Sequence, residues 1–212
     1  QDLEPFTDIQ VLTPTRRGPC GSVELNKLLR ETLNPPTQNK REKLIGDRLY
    51  REGDKVMQNK NNYLLEWHSV ISGESGEGIF NGDMGIIKHV DNEEESVTVI
   101  FEGERLVVYN YSIIDELEAA FALTVHKSQG LTFERVIADL SAAFTSGQVY
   151  VALSRCTSFS GLVLKTKIEQ NSIKTDPQVL LFAQNETPST LIIQELNSGK
   201  ADFYYKKVRD SI

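Results

Sequence analysis

Val136-Ile137-Ala138-Asp139-Leu140 and Leu162-Val163-Leu164 are short apolar runs bounded by polar residues or glycine. Runs of this length predict strands that are buried on both faces, as in a parallel sheet. Between them, Gln148 to Arg155 has helical spacing, with apolar side chains that include Val149 and Leu153. A strand, a helix and a second strand in this order predict an α/β fold with a parallel sheet.

The composition is that of an ordinary globular protein. The 212 residues are 39% hydrophobic and 25% charged, which is enough to bury a core. No apolar run approaches the roughly 20 residues that span a bilayer, and the acidic N-terminus is not a signal peptide, so we expect no membrane partner. Because Gln1 is not an initiator Met, we expect a piece of a longer protein. Cys20 and Cys156 predict neither a disulfide framework nor a metal site, and we expect a cytoplasmic location.

The charge is unevenly distributed. Residues 1–60 carry 11 basic and 9 acidic side chains, residues 61–140 carry 4 and 15, and residues 141–212 carry 8 and 6, for a total of −7. Such a balance argues against a protein that coats nucleic acid by bulk charge, but not against local phosphate contacts. The acidic middle indicates an inserted module.

That middle also has its own pattern of short strands and tight turns. Residues 97–101 and 105–109 are apolar runs separated by Glu102-Gly103, and Ser72–Gly78 is glycine-rich, which predicts a mobile loop. The spacing predicts a small antiparallel barrel.

The expected domain limits follow from these changes of pattern. A barrel over residues 46–112 interrupts an α/β domain formed by residues 1–45 and 113–185, and residues 186–212 form a tail that is partly helical.

The first segment predicts a strand, a loop and a helix. Asp8–Thr13 reads as a strand stopped by Pro14, and a loop over residues 15–21 follows it. Ser22 is the expected N-cap of a helix that ends before Asn34-Pro35-Pro36. The expected apolar face consists of Val23, Leu25, Leu28, Leu29 and Leu33.

A polar cluster follows the apolar run Ala119–Leu123. Thr124-Val125-His126-Lys127-Ser128-Gln129-Gly130 holds five polar side chains before its glycine. If the chain is helical from Ala119 onward, Thr124, Lys127 and Ser128 share a face that suits phosphate oxygens. The alternative is a capped helix end with solvated side chains.

Three arginines are further candidates for phosphate binding. Arg155 lies near the end of the predicted helix, 25 residues after the polar cluster, although a lone arginine there can simply complement the helix dipole. Arg16-Arg17 precede Gly18 in a loop, where a guanidinium can bind phosphate bidentately or belong to a solvated turn.

The barrel module mixes aromatic and amide side chains. Asn61-Asn62-Tyr63 and Phe80-Asn81-Gly82 could stack on bases and bond to them, since stacking is worth roughly 1–3 kcal/mol per base. For Tyr63 or Phe80 taken alone, packing in the core is the more conservative interpretation.

The sequence lacks the phosphate cradle of P-loop enzymes. Its only Gly-Lys pair is Gly199-Lys200, which Ala201 follows, and Gln194 stands where the first glycine of Gly-x-x-x-x-Gly-Lys-Ser/Thr should be. We therefore expect no ATP hydrolysis by these 212 residues alone.

Several segments together resemble superfamily 1B DNA helicases of the RecD-like kind, the type that includes the exodeoxyribonuclease V alpha subunit. Residues 124–133 resemble motif V and residues 150–155 resemble motif VI. Residues 11–29 resemble the motif IV region, and residues 53–63 and 80–85 resemble the SH3-like barrel of the second motor domain. Leu131-Thr132 stand where many RecD-like relatives have Ser-Glu; Leu-Thr occurs in the neighbouring yeast-mitochondrial-type branch.

The resemblance implies a motor of two RecA-like domains that bind ATP with Mg²⁺ between them. This chain would be the C-terminal half of an ATP-dependent 5′-to-3′ DNA helicase. The first motor domain, which carries the phosphate cradle, the magnesium carboxylate and the catalytic glutamate, would be its partner. Single-stranded DNA is the other expected partner, and association with further recombination or repair subunits is left open.

The resemblance also implies residue roles. Arg155 would be the arginine finger that reaches the γ-phosphate. Gln129 and Gly130 would line the nucleotide, and Arg16 or Arg17 would meet phosphate. The expected nucleic-acid contacts are Thr124, His126, Lys127, Ser128, Asn62, Tyr63, Phe80 and Asn81.

A second function class stays open at this point. The chain could be a non-enzymatic module that binds nucleic acid or protein through its barrel, which the missing phosphate cradle favours. Such a module has no need of an arginine at position 155. A phosphate cradle encoded upstream of Gln1 would favour the motor, and a natural start codon there would favour the module.

Overall fold

A computed structural model describes residues 8–141, 147–168, 173, 175–184 and 189–209. The chain divides into two compact units, Gln1–Ile173 and Lys174–Ile212. The strands are β1 Ile9–Thr13, β2 Glu42–Ile45, β3 Arg48–Arg51, β4 Lys55–Gln58, β5 Asn62–Ser69, β6 Ser75–Ile79, β7 Met84–Asp91, β8 Ser96–Phe101, β9 Arg105–Asn110, β10 Leu117–Ala119, β11 Ala122–Thr124, β12 Arg135–Ala138 and β13 Leu162–Leu164. The helices are α1 Ser22–Leu33, α2 Gln148–Leu153, α3 Pro177–Gln184 and α4 Ser189–Arg209.

The parallel sheet has the order β11-β1-β12-β13. Val11 of β1 pairs with Ala122 on one side and with Ile137 on the other. Ile137 in turn pairs with Val163 of β13. The predicted α/β fold is confirmed, and the first strand of the chain lies inside this sheet.

The antiparallel sheet has the order β10-β4-β7-β8-β9-β5-β6 and curls into a half-barrel. Its inner face follows the period-2 pattern of strands: Val97, Val99 and Phe101 of β8 point inward and are at most 2% exposed. The predicted antiparallel SH3-like insertion is confirmed as a fold. Its strands run from Lys55 to Ala119, while the limits 46 and 112 stay a prediction.

The two sheets meet through methionine side chains. Met57 of β4 is buried with Leu12, Leu123 and Val136 in the core of the parallel sheet, and Met84 of β7 packs against the same cluster. The half-barrel has a separate core on its inner face. Strands β4 and β7 therefore belong to one sheet and help to close the core of the other.

A buried polar junction joins α1 to the half-barrel. The Asp54 carboxylate is fully buried and accepts hydrogen bonds from Asn34 Nδ2 at 3.0 Å and from the Arg51 backbone N–H at 3.0 Å. Arg30 Nε lies 2.8 Å from it in an ion pair without hydrogen-bond geometry. Burial raises the pKa of the Asp54 carboxyl, and the Arg30 charge opposes that shift. Loss of these partners would leave a buried, unpaired carboxylate, which strongly destabilises a folded protein. The junction therefore fixes α1 to the half-barrel.

This junction corrects the predicted face of α1. Val23 and Leu28, which the sequence places on the apolar face, are 39% and 64% exposed, whereas Ser22 and Arg30 are buried. The N-cap is Gly21 and not Ser22. The helix does end at Leu33, before the predicted Asn34-Pro35-Pro36 stop.

Two further predictions are wrong. The segment from Ala119 is not helical, because residues 117–119 and 122–124 are strands of different sheets. The glycine-rich stretch is not only a loop, because Ser75–Ile79 forms strand β6.

The second unit contains helices α3 and α4. The predicted helix in the tail is confirmed as α4, and α3 was not predicted. Among the described residues, no helix is long and apolar enough to cross a membrane.

Lys55 of β4 is a buried lysine. Its Nζ donates to the Ile9 carbonyl at 3.3 Å, and burial lowers the pKa of this amine to about 8. An unfolded chain keeps the ordinary lysine pKa of about 10.4. Between these two values the unfolded chain binds more protons than the folded chain, so the free energy of unfolding rises with pH.

We therefore predict that the wild-type chain gains about 2 kcal/mol of unfolding free energy, relative to Lys55→Met, between pH 7.5 and 9.5. Urea denaturation at both pH values measures the difference. Lys88→Met, an exposed lysine of β7, is the control and should keep the full wild-type rise. A parallel pH dependence of wild type and Lys55→Met would contradict the buried amine.

Candidate nucleic-acid and nucleotide site

The Arg16–Arg17 loop and the polar cluster at residues 124–130 both begin at the same edge of the parallel sheet. Thr13 at the end of β1 is paired with Thr124 at the end of β11, and the Val125 N–H donates to the Thr13 carbonyl at 2.9 Å. The carboxyl edge of a parallel sheet is where α/β proteins bind ligands. The loop after β1 and the cluster after β11 therefore start side by side at this edge.

The polar cluster forms turns directly after β11. Thr124 Oγ1 accepts from the Lys127 N–H at 3.3 Å, and the Ser128 N–H donates to the Thr124 carbonyl at 3.1 Å. Ser128 is fully buried, and its hydroxyl donates to the Val125 carbonyl at 2.8 Å. Ser128 thus holds the turn together, and its hydroxyl faces no open surface.

The other side chains of the cluster are more accessible. His126, Gln129 and Gly130 are exposed, and Lys127 forms an ion pair with Glu118. Gly130 has a φ of 84°, a left-handed conformation that favours glycine. The His126 imidazole and the Gln129 amide can therefore contact a ligand directly. The Lys127 ammonium can do so once it releases Glu118.

The Arg16–Arg17 loop is held by its backbone. The Ser22 and Val23 N–H groups of α1 donate to the carbonyls of Thr15 and Arg16 at 3.0 and 3.2 Å. A Cβ on Gly21 would lie 2.6 Å from the carbonyl oxygens of Arg16 and Arg17. Both guanidinium groups are exposed on this tightly packed loop.

Arg16 borders a cleft of about 280 Å³ between α1, the β2–β3 turn and the polar cluster. Thr124, His126 and Lys127 line the same cleft. We call it the basic cleft, since its lining includes five Lys or Arg residues and two carboxylates; these are Arg16, Lys27, Arg30, Arg48, Lys127, Asp47 and Glu118. The structure thus brings Arg16 to three of the predicted DNA-contacting residues.

Asn26 is a positioning residue that the sequence did not single out. Its Nδ2 donates to the carbonyls of Ala119 and Ala122 at 3.0 and 2.9 Å, and its Oδ1 accepts from the Ala122 N–H at 2.8 Å. These bonds fasten α1 to the point where the chain passes between the two sheets. The sequence did contain one signal for this role, because the Asn26 amide lies between Leu25 and Leu28 on the predicted apolar side of the helix.

Arg155 lies just beyond the end of α2 and turns back toward the polar cluster. Its Nη1 donates to the Leu131 carbonyl at 3.0 Å, Nε to the Val151 carbonyl at 3.1 Å and Nη2 to Ser154 Oγ at 3.0 Å. No carboxylate of the described residues forms an ion pair with it. A guanidinium has five N–H groups, so two stay available to a ligand.

A short parallel ladder joins the segment after the polar cluster to the end of α2. The Phe133 N–H donates to the Arg155 carbonyl at 2.8 Å, and the Thr157 N–H donates to the Phe133 carbonyl at 3.0 Å. The main chain on both sides of Cys156, directly after Arg155, is therefore fixed to Phe133.

The two aromatic residues that the sequence singled out in the half-barrel, Tyr63 and Phe80, are on the surface. Tyr63 and Phe80 are 65% and 42% exposed and pack edge to face with ring centroids 5.6 Å apart. The core interpretation of these two residues is wrong. Asn81 is exposed beside Phe80, whereas the Asn62 amide is occupied by Glu116 at 3.0 Å.

The half-barrel turn that carries Phe80 touches the segment after the polar cluster. A Cβ on Gly82 would lie 3.3 Å from Leu131 Cδ2, and Met84 packs in the same core cluster as Leu131. The carbonyl of Leu131 in turn accepts from Arg155. The exposed aromatic pair and the candidate arginine finger are thus joined by a short series of contacts.

Comparison with known proteins identifies the family. Residues 25–101 match the family of ATP-dependent RecD-like DNA helicase SH3 domains. The ATP-dependent RecD2 DNA helicase of Deinococcus radiodurans is 34% identical over 151 residues, which cover 69% of this chain and 19% of that protein. This chain carries the SH3 domain of a RecD-like helicase and is homologous to RecD2.

The relatives of this RecD-like chain include Pif1 helicases. The ATP-dependent DNA helicase Pif1 of Campylobacter jejuni is 31% identical over 147 residues, which cover 55% of this chain and 33% of that protein. The matches therefore span about a fifth to a third of these relatives' length.

Solved Pif1 structures share the fold. A structure of two coordinating Pif1 helicases at forked DNA has a TM-score of 0.59 at 22% identity and covers 86% of this chain and 44% of that one. Bacteroides Pif1 bound to single-stranded DNA gives 0.57 at 22% identity, with 84% and 45% covered.

We predict that Asn26→Ala lowers the unfolding free energy of the RecD-like chain by about 3 kcal/mol, because three hydrogen bonds worth about 1 kcal/mol each are lost. Urea denaturation followed by circular dichroism measures this. The control is Lys27→Ala, whose exposed ion pair with Glu24 is worth at most about 0.5 kcal/mol. Equal effects of the two changes would contradict the role of Asn26.

Proposed function

We propose that this RecD-like chain is the C-terminal motor half of an ATP-dependent, 5′-to-3′ DNA helicase, with Arg155 as its arginine finger. The observation that carries the proposal is the guanidinium of Arg155, which is fixed by Leu131, Val151 and Ser154 yet keeps two N–H groups. An interaction with the dipole of α2 needs only a positive charge at the end of the helix and does not require the hydrogen bond to the Leu131 carbonyl. The direction of movement rests on the family likeness.

The proposed nucleotide side consists of Arg155, Gln129 and Gly130. ATP, when bound, supplies the γ-phosphate whose charge a guanidinium stabilises, and such fingers are worth 10³–10⁵ in rate in well-studied cases. The N–H donors of Arg155 fit phosphate oxygens. The described residues contain no cluster of three His, Cys, Asp or Glu side chains suited to a metal, so the proposal assigns Mg²⁺ to the other motor domain.

The proposed DNA side begins at the basic cleft. Thr124, His126 and Lys127 would contact the single-strand backbone there. Arg16 borders the same cleft, which favours it over Arg17 as the proposed phosphate-binding arginine. Ser128 is left out of this set because its hydroxyl is buried and engaged.

The half-barrel would add a stacking platform. Tyr63 and Phe80 form an exposed aromatic pair with Asn81 beside it, and Asn62 would support the pair through Glu116. Aromatic faces bind bases of any sequence, which suits a protein that moves along a strand.

The proposed partners are single-stranded DNA and an N-terminal motor domain in the same protein. Recombination or repair proteins are a further partner class, and the proposed place of action is the cytoplasm. The two cysteines, both free thiols, are compatible with that compartment.

We predict that Arg155→Ala in the complete encoded protein lowers DNA-stimulated ATP hydrolysis at least 10³-fold, because the developing charge on the phosphate loses its partner. Steady-state ATPase assays measure this. Binding of a fluorescent dT oligonucleotide should stay within about twofold, since the DNA contacts lie in other residues.

Arg41→Ala is the matched control for this experiment. Arg41 is an exposed arginine that contacts His89, and its loss should leave hydrolysis unchanged. Full ATPase activity in Arg155→Ala would reject the arginine-finger assignment.

We predict that Tyr63→Ala and Phe80→Ala each weaken binding of the 212-residue chain to a dT oligonucleotide by roughly 1–3 kcal/mol. Fluorescence anisotropy at low salt measures the affinity. Because both rings are exposed, thermal unfolding should change little. Tyr150→Ala, which removes a ring that is 75% exposed on α2, is the control; if it weakened binding equally, the platform would be rejected.

A further inference from the structure

Strand β6 is an open edge of the antiparallel sheet. It pairs with β5 through Glu66–Glu77, Trp67–Gly76 and His68–Ser75. On its other side, no strand of residues 8–141 pairs with it. An edge of this kind presents backbone donors and acceptors to any extended segment that approaches it.

Two carboxylates lie opposite each other on the paired strands β5 and β6. Glu66 and Glu77 are direct cross-strand partners, and both are exposed. Like charges in directly opposite positions destabilise a sheet. Within the described chain neither carboxylate forms an ion pair or a hydrogen bond, so the hairpin carries a repulsion that a bound cation would relieve.

The same hairpin has apolar surface. Leu64 is 83% exposed and Val108 of the neighbouring β9 is 49% exposed. A groove of about 630 Å³ runs along Trp67, Glu77 and Val108. The ring of Trp67 packs against the core of the half-barrel and lies over Gly76, where a Cβ would come within 2.6 Å of it, so Gly76 contributes no side chain that covers the indole.

We propose that the β6 edge binds an extended, basic protein segment by adding it as a further strand. Residues alternate between the two faces of a strand. Lysine or arginine on one face would neutralise Glu77 and Glu66, and apolar side chains on the other face would cover Trp67. DNA is a poor occupant because the two carboxylates repel phosphate. The proposal does not depend on the motor function.

The test uses the 212-residue chain and a fluorescein-labelled ten-residue peptide of alternating lysine and valine. Anisotropy should show saturable binding that weakens about tenfold between 50 and 300 mM NaCl. Hydrogen exchange should slow at the amides of Ser75–Ile79. A peptide of the same sequence with N-methylated valines should fail to bind, because added strands need their backbone N–H groups.

Glu77→Lys should weaken peptide binding at least tenfold while leaving thermal stability equal or higher, because the repulsion with Glu66 is removed. The matched control is Glu93→Lys in the β7–β8 turn, which makes the same charge change at an exposed position and should bind within about twofold of wild type. The stability measurement separates loss of the site from loss of the fold.

Other outcomes would overturn the proposal. They are no binding at 1 mM peptide, equal binding of the N-methylated peptide, exchange protection at the basic cleft and not at β6, and competition by a dT oligonucleotide. Self-association of the chain that protects β6 before peptide is added would assign the edge to a second copy.

Discussion

The pairing of β1 with β11 determines where the basic cleft of the candidate site lies. It sets the ends of both strands at one edge, so that the loop of Arg16 and the cluster of Thr124 to Gly130 start beside each other. The Gln10 amide strengthens this pairing by donating to the carbonyls of Ala120 and Phe121 at 3.1 and 3.2 Å. Asn26 holds the same segment from the side of α1. A buried amide nitrogen in such a place is costly unless bonded, which makes the pairing specific, although the Gln10 Oε1 atom has no hydrogen-bond partner among the described residues.

The sequence predicted the fold class well, because the order of its segments is decisive: a strand, a helix and a strand indicate an α/β unit, and short strands with tight turns indicate a barrel. The run at residues 136–140 and the short strands of the half-barrel have the patterns that their environments demand. The run at residues 162–164 does form a strand, but the prediction that it is buried on both faces is wrong, because β13 is the edge of the sheet and Val163 and Leu164 are 56% and 38% exposed. The run Ala119–Leu123 misled the prediction because a short apolar run has no period that separates buried strand from helix. The chain there leaves one sheet at Ala119 and enters the other at Ala122, and only the tertiary structure reveals that change.

The candidate site was predictable in its residue types and less so in their tasks. Ser128 looked like a ligand for phosphate, but its hydroxyl bonds to a main-chain carbonyl three residues earlier. Arg155 was found by its place in a motif, while its bond to the Leu131 carbonyl could not be foreseen because any residue supplies a carbonyl. Tyr63 and Phe80 came out as a surface pair because two strand ends meet there, which neither residue reveals alone.

The insertion of the half-barrel between β1 and β11 has a consequence for how the chain folds. Gln10 and Phe121 are hydrogen-bonded although 111 positions separate them, and closing so long a loop has an entropic cost. The antiparallel pairing of Val56 with Ala119 draws the two ends of the half-barrel together. Once the half-barrel has formed, far fewer flexible residues separate β1 from β11. The folded half-barrel thus shortens the effective loop between β1 and β11. The parallel sheet can then form its non-local contacts at a lower effective contact order.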